Sequence, residues 1–221
     1  MRAAATPWAG VTARPSTEPP ADLTTYRLVH RAMVRDVARL ADTTARPVDP
    51  TRLRALRWYV DRLFPLIEHH HQGEDDLVWS LLRAVGAPTS LDALSDEHRE
   101  LDPLLHTVRA ALHQTDPGPQ LARDTEHLCS LLTRHIEEEE REIFPVITDL
   151  VGRRDVHTLE NKMARTCPPR LIPFLVPWAA DGAGPDEQYA VPLRWLLPLT
   201  RGNYARHARV AFGCWGLPSV G

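Results

Sequence analysis

The sequence is poor in cysteine, and this scarcity excludes architectures that depend on sulfur. Its 221 residues include three cysteines, Cys129, Cys167 and Cys214, whose number is odd and whose spacing is wide. A disulfide framework or a CxxC metal site is therefore not expected. We accordingly predict a protein of a reducing compartment, the cytoplasm.

Long apolar runs and a strong charge imbalance are also missing. The N-terminus contains no apolar stretch as long as that of a secretory signal. Nowhere does the chain approach the roughly 18 to 20 uninterrupted apolar residues of a membrane span. We therefore expect neither secretion nor an integral membrane protein. The formal net charge of -3 gives no electrostatic reason to expect a nucleic-acid partner.

Strand-type alternation of apolar and polar residues is absent from residues 22–152, where apolar residues recur at intervals of three and four. This pattern predicts four amphipathic helices joined by short connections. The helices are expected near residues 22–42, 51–85, 91–114 and 120–151. Pro65 is expected to kink the second of them. The fold class that follows is all-α, an up-down-up-down antiparallel four-helix bundle.

Two further segments flank the predicted bundle. Residues 1–21 are rich in proline, alanine and threonine and predict a disordered leader. Residues 153–221 are rich in proline and predict a C-terminal extension of short helices and irregular chain. Three uses of the extension remain open: capping the bundle, which we favour, making a homodimer contact, or lying on a membrane surface through its tryptophans and arginines.

Histidine is abundant, with eleven residues, and two histidine-containing segments repeat each other. In HHHQGEDDLVW, His70 is followed four positions later by Glu74, and in HIEEEEREIF, His135 is followed four positions later by Glu139. Residues four apart lie on the same face of a helix. An apolar residue eight positions after each histidine indicates that this face is buried. Buried imidazole and carboxylate are costly unless something such as a metal ion neutralises them.

The other two predicted helices each present one histidine on their apolar side. The chain thus repeats a hairpin, in which a helix with one histidine precedes a helix with HxxxE. Two such hairpins around a pseudo-twofold axis would bring four histidines and two glutamates to one dinuclear site. These residues are His30, His70, Glu74, His98, His135 and Glu139. Imidazole combined with carboxylate suits iron, with manganese or zinc as competitors.

The motifs occur in an order that resembles the hemerythrin HHE cation-binding family over about residues 22–151. The resemblance rests on the six residues above, on His71 and Asp75 in the first motif, and on Phe144–Pro145 after the second. It implies that the six residues bind two iron ions, which an oxo or hydroxo bridge could join. It also implies binding of dioxygen, nitric oxide or peroxide for sensing, storage or scavenging.

Two alternatives to ligand binding stay open. One is a di-iron oxidase or peroxidase-like enzyme, with a pocket shaped by the C-terminal extension. The other is a regulatory module that senses metal or redox state. Whether the chain is an enzyme is therefore not decided by the sequence.

One position departs from the pattern of oxygen-carrying hemerythrins. Those proteins place a second histidine one turn after the ligand of the third helix, where this chain has Asp102. Asp102 could bind metal, accept a hydrogen bond beside the site, or face solvent, and its presence argues against simple oxygen carriage. Nearby, we expect His71 to pack or hydrogen-bond near the site rather than to bind metal. Tyr26, Trp79 and Phe144 are expected to be core aromatics.

Overall fold

The protein is described by a computed structural model that covers residue 8, residues 10–87 and residues 91–213. Its regular elements over this range are helices, so the all-α prediction is confirmed. The first five are α1 (Thr24–Thr44), α2 (Pro50–Gly73), α3 (Trp79–Ala84), α4 (Asp92–Leu112) and α5 (Gln120–Leu150). The last three are α6 (Arg153–Thr166), α7 (Ile172–Ala180) and α8 (Leu197–Phe212). Short 3-10 turns lie at Pro169–Leu171, Pro185–Ala190 and Arg194–Leu196.

The second predicted helix is interrupted after its proline by a short π segment. Pro65 lies within α2 and does not end it. The change in geometry comes later, where a π segment, Glu74–Val78, separates α2 from α3. There the backbone N–H of Trp79 bonds to the carbonyl of Glu74, five residues back. Such a wide turn changes the direction of the side chains around it and is common at functional sites.

The start of α2 follows from local sequence. The Asp49 carboxylate accepts hydrogen bonds from the backbone N–H groups of Thr51 and Arg52, at 2.8 and 3.0 Å. Pro50 takes the first helical position, where a missing N–H costs nothing. This cap fixes the start of the helix that carries His70 and His71.

The long helices pack side by side against one another. Helix α5 packs against both α1 and α4, and α2 packs against α4. Helix α8 packs against α2 and α7, and both α7 and α8 contact α1. The C-terminal extension is therefore packed against the long helices. Within the described residues, no helix is long and apolar enough to cross a membrane.

The buried apolar residues form two clusters. The larger cluster combines residues of α1, α2, α4 and α5 with Phe174, Trp178 and Tyr204 of the extension. The smaller cluster contains Trp79 and Phe144, as expected of core aromatics. Along α2, α4 and α5, the buried histidines and glutamates fall between residues of the two clusters. A polar layer thus separates two apolar cores.

The expectation of a disordered leader is not met over its described part, residue 8 and residues 10–21. Trp8 is 4% exposed and belongs to the smaller apolar cluster. The indole N–H of Trp8 donates to the backbone carbonyl of Leu77 at 2.9 Å. The backbone N–H of Arg14 donates to the backbone carbonyl of Leu150 at 2.8 Å. A proline- and alanine-rich composition predicts disorder, but one buried tryptophan ties this segment to the bundle. Residues 1–7 and residue 9 lie outside the described residues.

Candidate metal centre

The polar layer consists of five histidines and two glutamates, all buried. Glu74 and Glu139 are 0% exposed, although each carries a carboxylate. The seven residues are His30, His70, His71, Glu74, His98, His135 and Glu139. The structure thus brings together all six residues predicted from the sequence and adds His71.

Four of these residues form a first donor group. His30, His70, Glu74 and Glu139 each offer an atom within 4.8 Å of the others. The Nε2 atom of His30 lies 3.0 Å from Nε2 of His70 and 3.4 Å from Oε2 of Glu139. The Nε2 atom of His70 lies 2.8 Å from Oε1 of Glu74. Two imidazole nitrogens and two carboxylates therefore converge from α1, α2, the π segment and α5.

The remaining three histidines form a second donor group. His71, His98 and His135 also offer atoms within 4.8 Å of one another. The Nε2 atoms of His98 and His135 are 3.2 Å apart, and the His71 ring stacks on that of His98 with centroids 4.4 Å apart. Oε2 of Glu74 lies 3.3 Å from Nε2 of His98. The two oxygens of Glu74 therefore face the two different donor groups.

His71 lies in the donor set, which differs from the prediction that it only packs or hydrogen-bonds near the site. Its Nε2 atom is buried and has no hydrogen-bond partner among the described residues. On an α-helix, Glu74 lies about 40° from His70 on one side and about 60° from His71 on the other. Glu74 can therefore reach both histidines. The i, i+4 spacing points to His70, and the i, i+3 spacing from His71 to Glu74 is the feature of the sequence that points to His71.

Carboxylates lie beside the outward nitrogen, Nδ1, of four of the five imidazoles. The pairs are His30–Glu140 at 3.0 Å, His71–Asp102 at 2.7 Å, His135–Glu97 at 2.8 Å and His98–Asp75 at 3.2 Å. An ionised carboxylate only accepts hydrogen bonds, so it favours a proton on Nδ1 and leaves the Nε2 lone pair facing inward. This tautomer is the one that an inward-lying cation requires.

Asp102 takes one of the three roles that the sequence left open. Its Oδ1 atom accepts a hydrogen bond from Nδ1 of His71 at 2.7 Å. Asp102 is not in either donor group. The residue that departs from the oxygen-carrier pattern therefore orients a histidine of the second group.

Two of the outer carboxylates, Asp75 and Glu140, belong to the repeated sequence motif. Asp75 and Glu140 each follow the glutamate of an HxxxE motif by one position, in both halves of the repeat. Asp75 also accepts hydrogen bonds from the hydroxyl of Ser95 at 2.6 Å and the indole N–H of Trp79 at 2.8 Å. These bonds fix its carboxylate beside His98. Because an acidic residue recurs at the same position in both motifs, the sequence predicts that Asp75 and Glu140 have the same role.

Aromatic side chains surround the donor set. The hydroxyl of Tyr26 donates to Oε1 of Glu74 at 2.9 Å, so Tyr26 is both a core residue and a polar neighbour of the site. The Phe144 ring stacks on His30 with centroids 5.5 Å apart, and the Trp79 ring is parallel to His98 at 6.3 Å. These rings restrict the access of water to the donors.

Glu139 carries the clearest sign that the site is built for a cation. Neither of its carboxylate oxygens has a hydrogen-bond donor among the described residues. Burial, together with the charge of Glu74, raises the pKa of Glu139 well above its usual range. A buried carboxylate without donors is costly in a protein, and a bound cation removes that cost.

The imidazoles differ in how readily they take up a proton when no cation is bound. Burial lowers the pKa of His70 to about 4 and that of His135 to about 2. Burial opposes the charged form of His30 as well, but the carboxylates of Glu139, Glu140 and Glu74 outweigh it and raise its pKa to about 10. His70 and His135 therefore offer neutral imidazole nitrogens, which is the form that binds metals. The residues present fit a metal centre.

Comparisons with known proteins agree with this donor set. Residues 22–147, more than half of the chain, match the family model of the hemerythrin HHE cation binding domain. The zinc finger protein BRUTUS of Arabidopsis thaliana is 24% identical to this chain over 141 residues, which is 61% of the chain and 11% of that protein. This chain therefore spans only a small part of that relative. No solved structure matches the chain. The motif order, the buried donors and the family match together show that the chain belongs to the hemerythrin HHE cation-binding domain family.

Proposed function

We propose that this chain is a non-haem di-iron protein that binds dioxygen, nitric oxide or peroxide for sensing, storage or scavenging. In this proposal, α1, α2 with α3, α4 and α5 form an up-down-up-down antiparallel bundle around the two ions. The observation that carries the proposal is the position of Glu74, whose two oxygens face two separate donor groups. A carboxylate in that position is suited to bridging two cations rather than binding one.

Each donor group would hold one ion. His30, His70 and Glu139 would bind the first, and Glu74 would be shared with the second. The second ion would be bound by His71, His98 and His135. Iron, when bound, supplies the capacity to bind small redox-active ligands and to exchange electrons with them. Five histidines against two glutamates leave less negative charge on the ions than a carboxylate-rich site would, which favours reversible ligand binding over strong oxidation.

The chain's own residues supply orientation and exclusion of water. The outer carboxylates hold the imidazoles so that Nε2 faces inward, as shown for His71 and Asp102. Tyr26 holds Glu74 through its hydroxyl group, and Phe144 covers His30. A small ligand that enters this layer would meet fixed donors in a largely apolar surrounding.

The proposal is tested by loading the full chain with Fe(II) in the absence of air and adding nitric oxide, dioxygen and peroxide in turn. We expect the optical spectrum to change with at least one of them. Glu74→Gln should weaken or abolish the change, whereas Glu137→Gln, an exposed position on α5, should leave it intact. A protein that is fully loaded with iron, but whose spectrum responds to none of the three, would contradict the proposal.

A second candidate, a metal-sensing or redox-sensing regulatory module, is favoured by the contacts of α1. This helix carries His30 and is also tied to the extension, because Arg31 pairs with Glu187 at 2.6 Å and Arg39 pairs with Asp181 at 3.0 Å. A movement of His30 on metal binding could therefore be passed through α1 and these two ion pairs to the C-terminal extension. This candidate predicts different protease cleavage of residues 153–221 in the iron-free and iron-loaded proteins, and identical cleavage would count against it.

The oxidase or peroxidase-like alternative has no comparable support. Two surface cavities stand out among the described residues, a groove between α1 and α5 and a cleft between α2 and α8. Neither is lined by a residue of the donor groups. A substrate in either cavity would not touch the candidate metal centre.

A further inference from the structure

The exposed apolar side chains of this protein are concentrated in one part of the chain. Among the described residues, all five large hydrophobic side chains that are exposed lie between positions 189 and 210. They are Tyr189, Leu193, Trp195, Leu199 and Val210. Trp195 is 71% exposed and Leu199 is 81% exposed, which is unusual for residues of their size. Such a concentration marks an interaction surface.

Three of these residues form a stripe along α8 and the 3-10 turn that precedes it. Trp195 and Leu199 are four residues apart, and Val210 lies eleven residues after Leu199. On α8 this spacing places Leu199 and Val210 within about 20° of each other, and Trp195 lies in the 3-10 turn just before the helix. The opposite face of α8 is buried and holds Tyr204, Ala208 and Ala211. The stripe therefore faces outward, while the buried face of α8 packs against α2 and α7.

The same segment is strongly basic. After Glu187 the sequence contains no aspartate or glutamate and has four arginines, although the chain as a whole has a formal net charge of -3. The arginines are Arg194, Arg201, Arg206 and Arg209. None of them forms an ion pair with a described residue. Their positive charge is therefore available to a partner.

A basic cleft of about 310 Å³ opens beside the stripe, between α2 and α8. Arg54 and Arg206 line it, and so does Val210 of the stripe. The rings of Trp58 and His207 stack on one another in its wall, with centroids 3.8 Å apart. An anionic group could enter this cleft while apolar groups meet the stripe.

The turn that leads into the stripe adopts an unfavourable backbone conformation. Leu193 has a φ of 51°, in the left-handed region, and is 40% exposed. Residues other than glycine rarely adopt this region, and such positions are often maintained for a function. Here the conformation leads the chain directly to the exposed Trp195.

We propose that this basic apolar face, formed by Leu193, Trp195, Leu199 and Val210 with the exposed Arg194, Arg206 and Arg209, binds the surface of an anionic phospholipid bilayer. Trp195 and Leu199 enter the boundary between headgroups and hydrocarbon, and the arginines contact lipid phosphates. Exposed tryptophan and leucine combined with uncompensated arginine match a layer of phosphate above hydrocarbon. A second copy of the chain matches less well, because a twofold contact would bring like charges together. This inference is independent of the ligand that the metal centre binds.

The test is flotation of the full chain with vesicles of phosphatidylcholine mixed with phosphatidylglycerol, and with vesicles of phosphatidylcholine alone. We expect binding to the mixed vesicles that high salt weakens, and little binding to phosphatidylcholine alone. Arg206→Gln combined with Arg209→Gln should weaken binding by roughly thirty-fold, about five-fold for each arginine. As a charge-matched control, Arg46→Gln combined with Arg123→Gln should leave it unchanged, since both positions are exposed and neither lines the cleft.

Insertion of the apolar stripe is tested separately from charge. Trp195→Ser combined with Leu199→Ser should weaken binding by more than about ten-fold while the fold is kept, because both side chains are exposed. The Trp195→Phe variant should still float with the vesicles. It should lack the blue shift of tryptophan emission that we expect of the unmodified chain when it binds. Absence of binding to the mixed vesicles, or binding that the serine variant keeps, would overturn the proposal. So would loss of self-association in the serine variant without any vesicle binding, since a second copy would then cover this face.

Discussion

Glu74 and Glu139 occupy equivalent positions in the two HxxxE motifs, yet their surroundings differ. Around the helix, Glu74 lies between His70 and His71, and it accepts a hydrogen bond from Tyr26. Glu139 has Ile136 where the second histidine would be, and its oxygens have no hydrogen-bond donor among the described residues. In the proposed di-iron centre, this asymmetry is why Glu74 would be shared between the ions and why His71 would belong to the second group.

The first prediction concerns His71. Replacing it with alanine should lower the metal content of the protein by about half, because the second donor group loses one of three imidazoles while the first group is intact. Quantification of bound iron by elemental analysis provides the measurement. His127→Ala, at an exposed position of α5, is the matched control and should retain full metal content. Unchanged metal content in the His71 variant would show that this residue only packs beside the site.

The second prediction concerns pH. His30 has a pKa of about 10, and burial raises the pKa of Glu139 well above its usual range, so each group keeps its proton to a higher pH than usual when no metal is bound. Binding of a cation must release these protons, so the apparent affinity for Fe(II) should rise as the pH is raised. Anaerobic Fe(II) titrations at several pH values measure the affinity, and a weakly buffered solution reports the protons released.

The Glu139→Gln variant provides the control for this prediction. Its amide carries no acidic proton, so it should release fewer protons on metal binding than the unmodified chain. An Fe(II) affinity that is the same at mildly acidic and mildly basic pH would contradict the proton assignments.

At the level of elements, the π segment is a feature of the helix geometry that the sequence pattern does not predict. The histidines and glutamates of α2 and α5 could be predicted because i, i+4 spacing has a fixed meaning on a helix. The π segment at Glu74–Val78 could not, since its hydrogen-bond pattern depends on contacts from elsewhere in the chain. One such contact is the hydroxyl of Ser95, which reaches Asp75 at 2.6 Å. Long helices follow from periodicity, but interruptions within them follow from tertiary packing.

The third prediction compares two glycines that lie within helices. A Cβ atom at Gly202 of α8 would meet nothing within 4 Å, so Gly202→Ala should stabilise the protein by about 0.5–1 kcal/mol through helix propensity. A Cβ atom at Gly73 of α2 would lie 2.6 Å from Cε of Met163 on α6. Gly73→Ala should therefore gain less, because Met163 must move. Chemical denaturation of both variants measures the difference, and equal stabilisation would show that α6 does not pack closely on α2.

At the level of the whole molecule, the extension shares the main core. Proline-rich sequence and short helical stretches predicted a segment added to the bundle, but sequence patterns do not reveal which distant residues become neighbours. The buried carboxylate of Asp36 on α1 accepts a hydrogen bond from Tyr59 on α2 at 2.5 Å. The hydroxyl of Tyr59 in turn lies 2.8 Å from that of Tyr204 on α8. The extension is thus tied to the long helices by a buried polar network as well as by apolar contacts.

The fourth prediction tests that network. Tyr204→Phe should destabilise the protein by about 1–3 kcal/mol, because the buried hydroxyl of Tyr59 loses a partner, while metal content stays the same. Tyr189→Phe is the matched control, since the hydroxyl of Tyr189 is bonded to Asp22 at an exposed position and its loss should cost little. Denaturation curves of the two variants give the comparison. Equal stability of the two variants would indicate that the network does not hold the extension in place.

The claim that two metal ions lie between the two apolar cores is tested most directly by the metal content of the natively expressed full chain. Elemental analysis should find about two iron ions per chain, and adding Fe(II) to the metal-free protein should raise its thermal midpoint, because a cation that binds only the folded chain stabilises it. A chain that is purified without iron, and whose thermal midpoint does not respond to added Fe(II), would contradict the account.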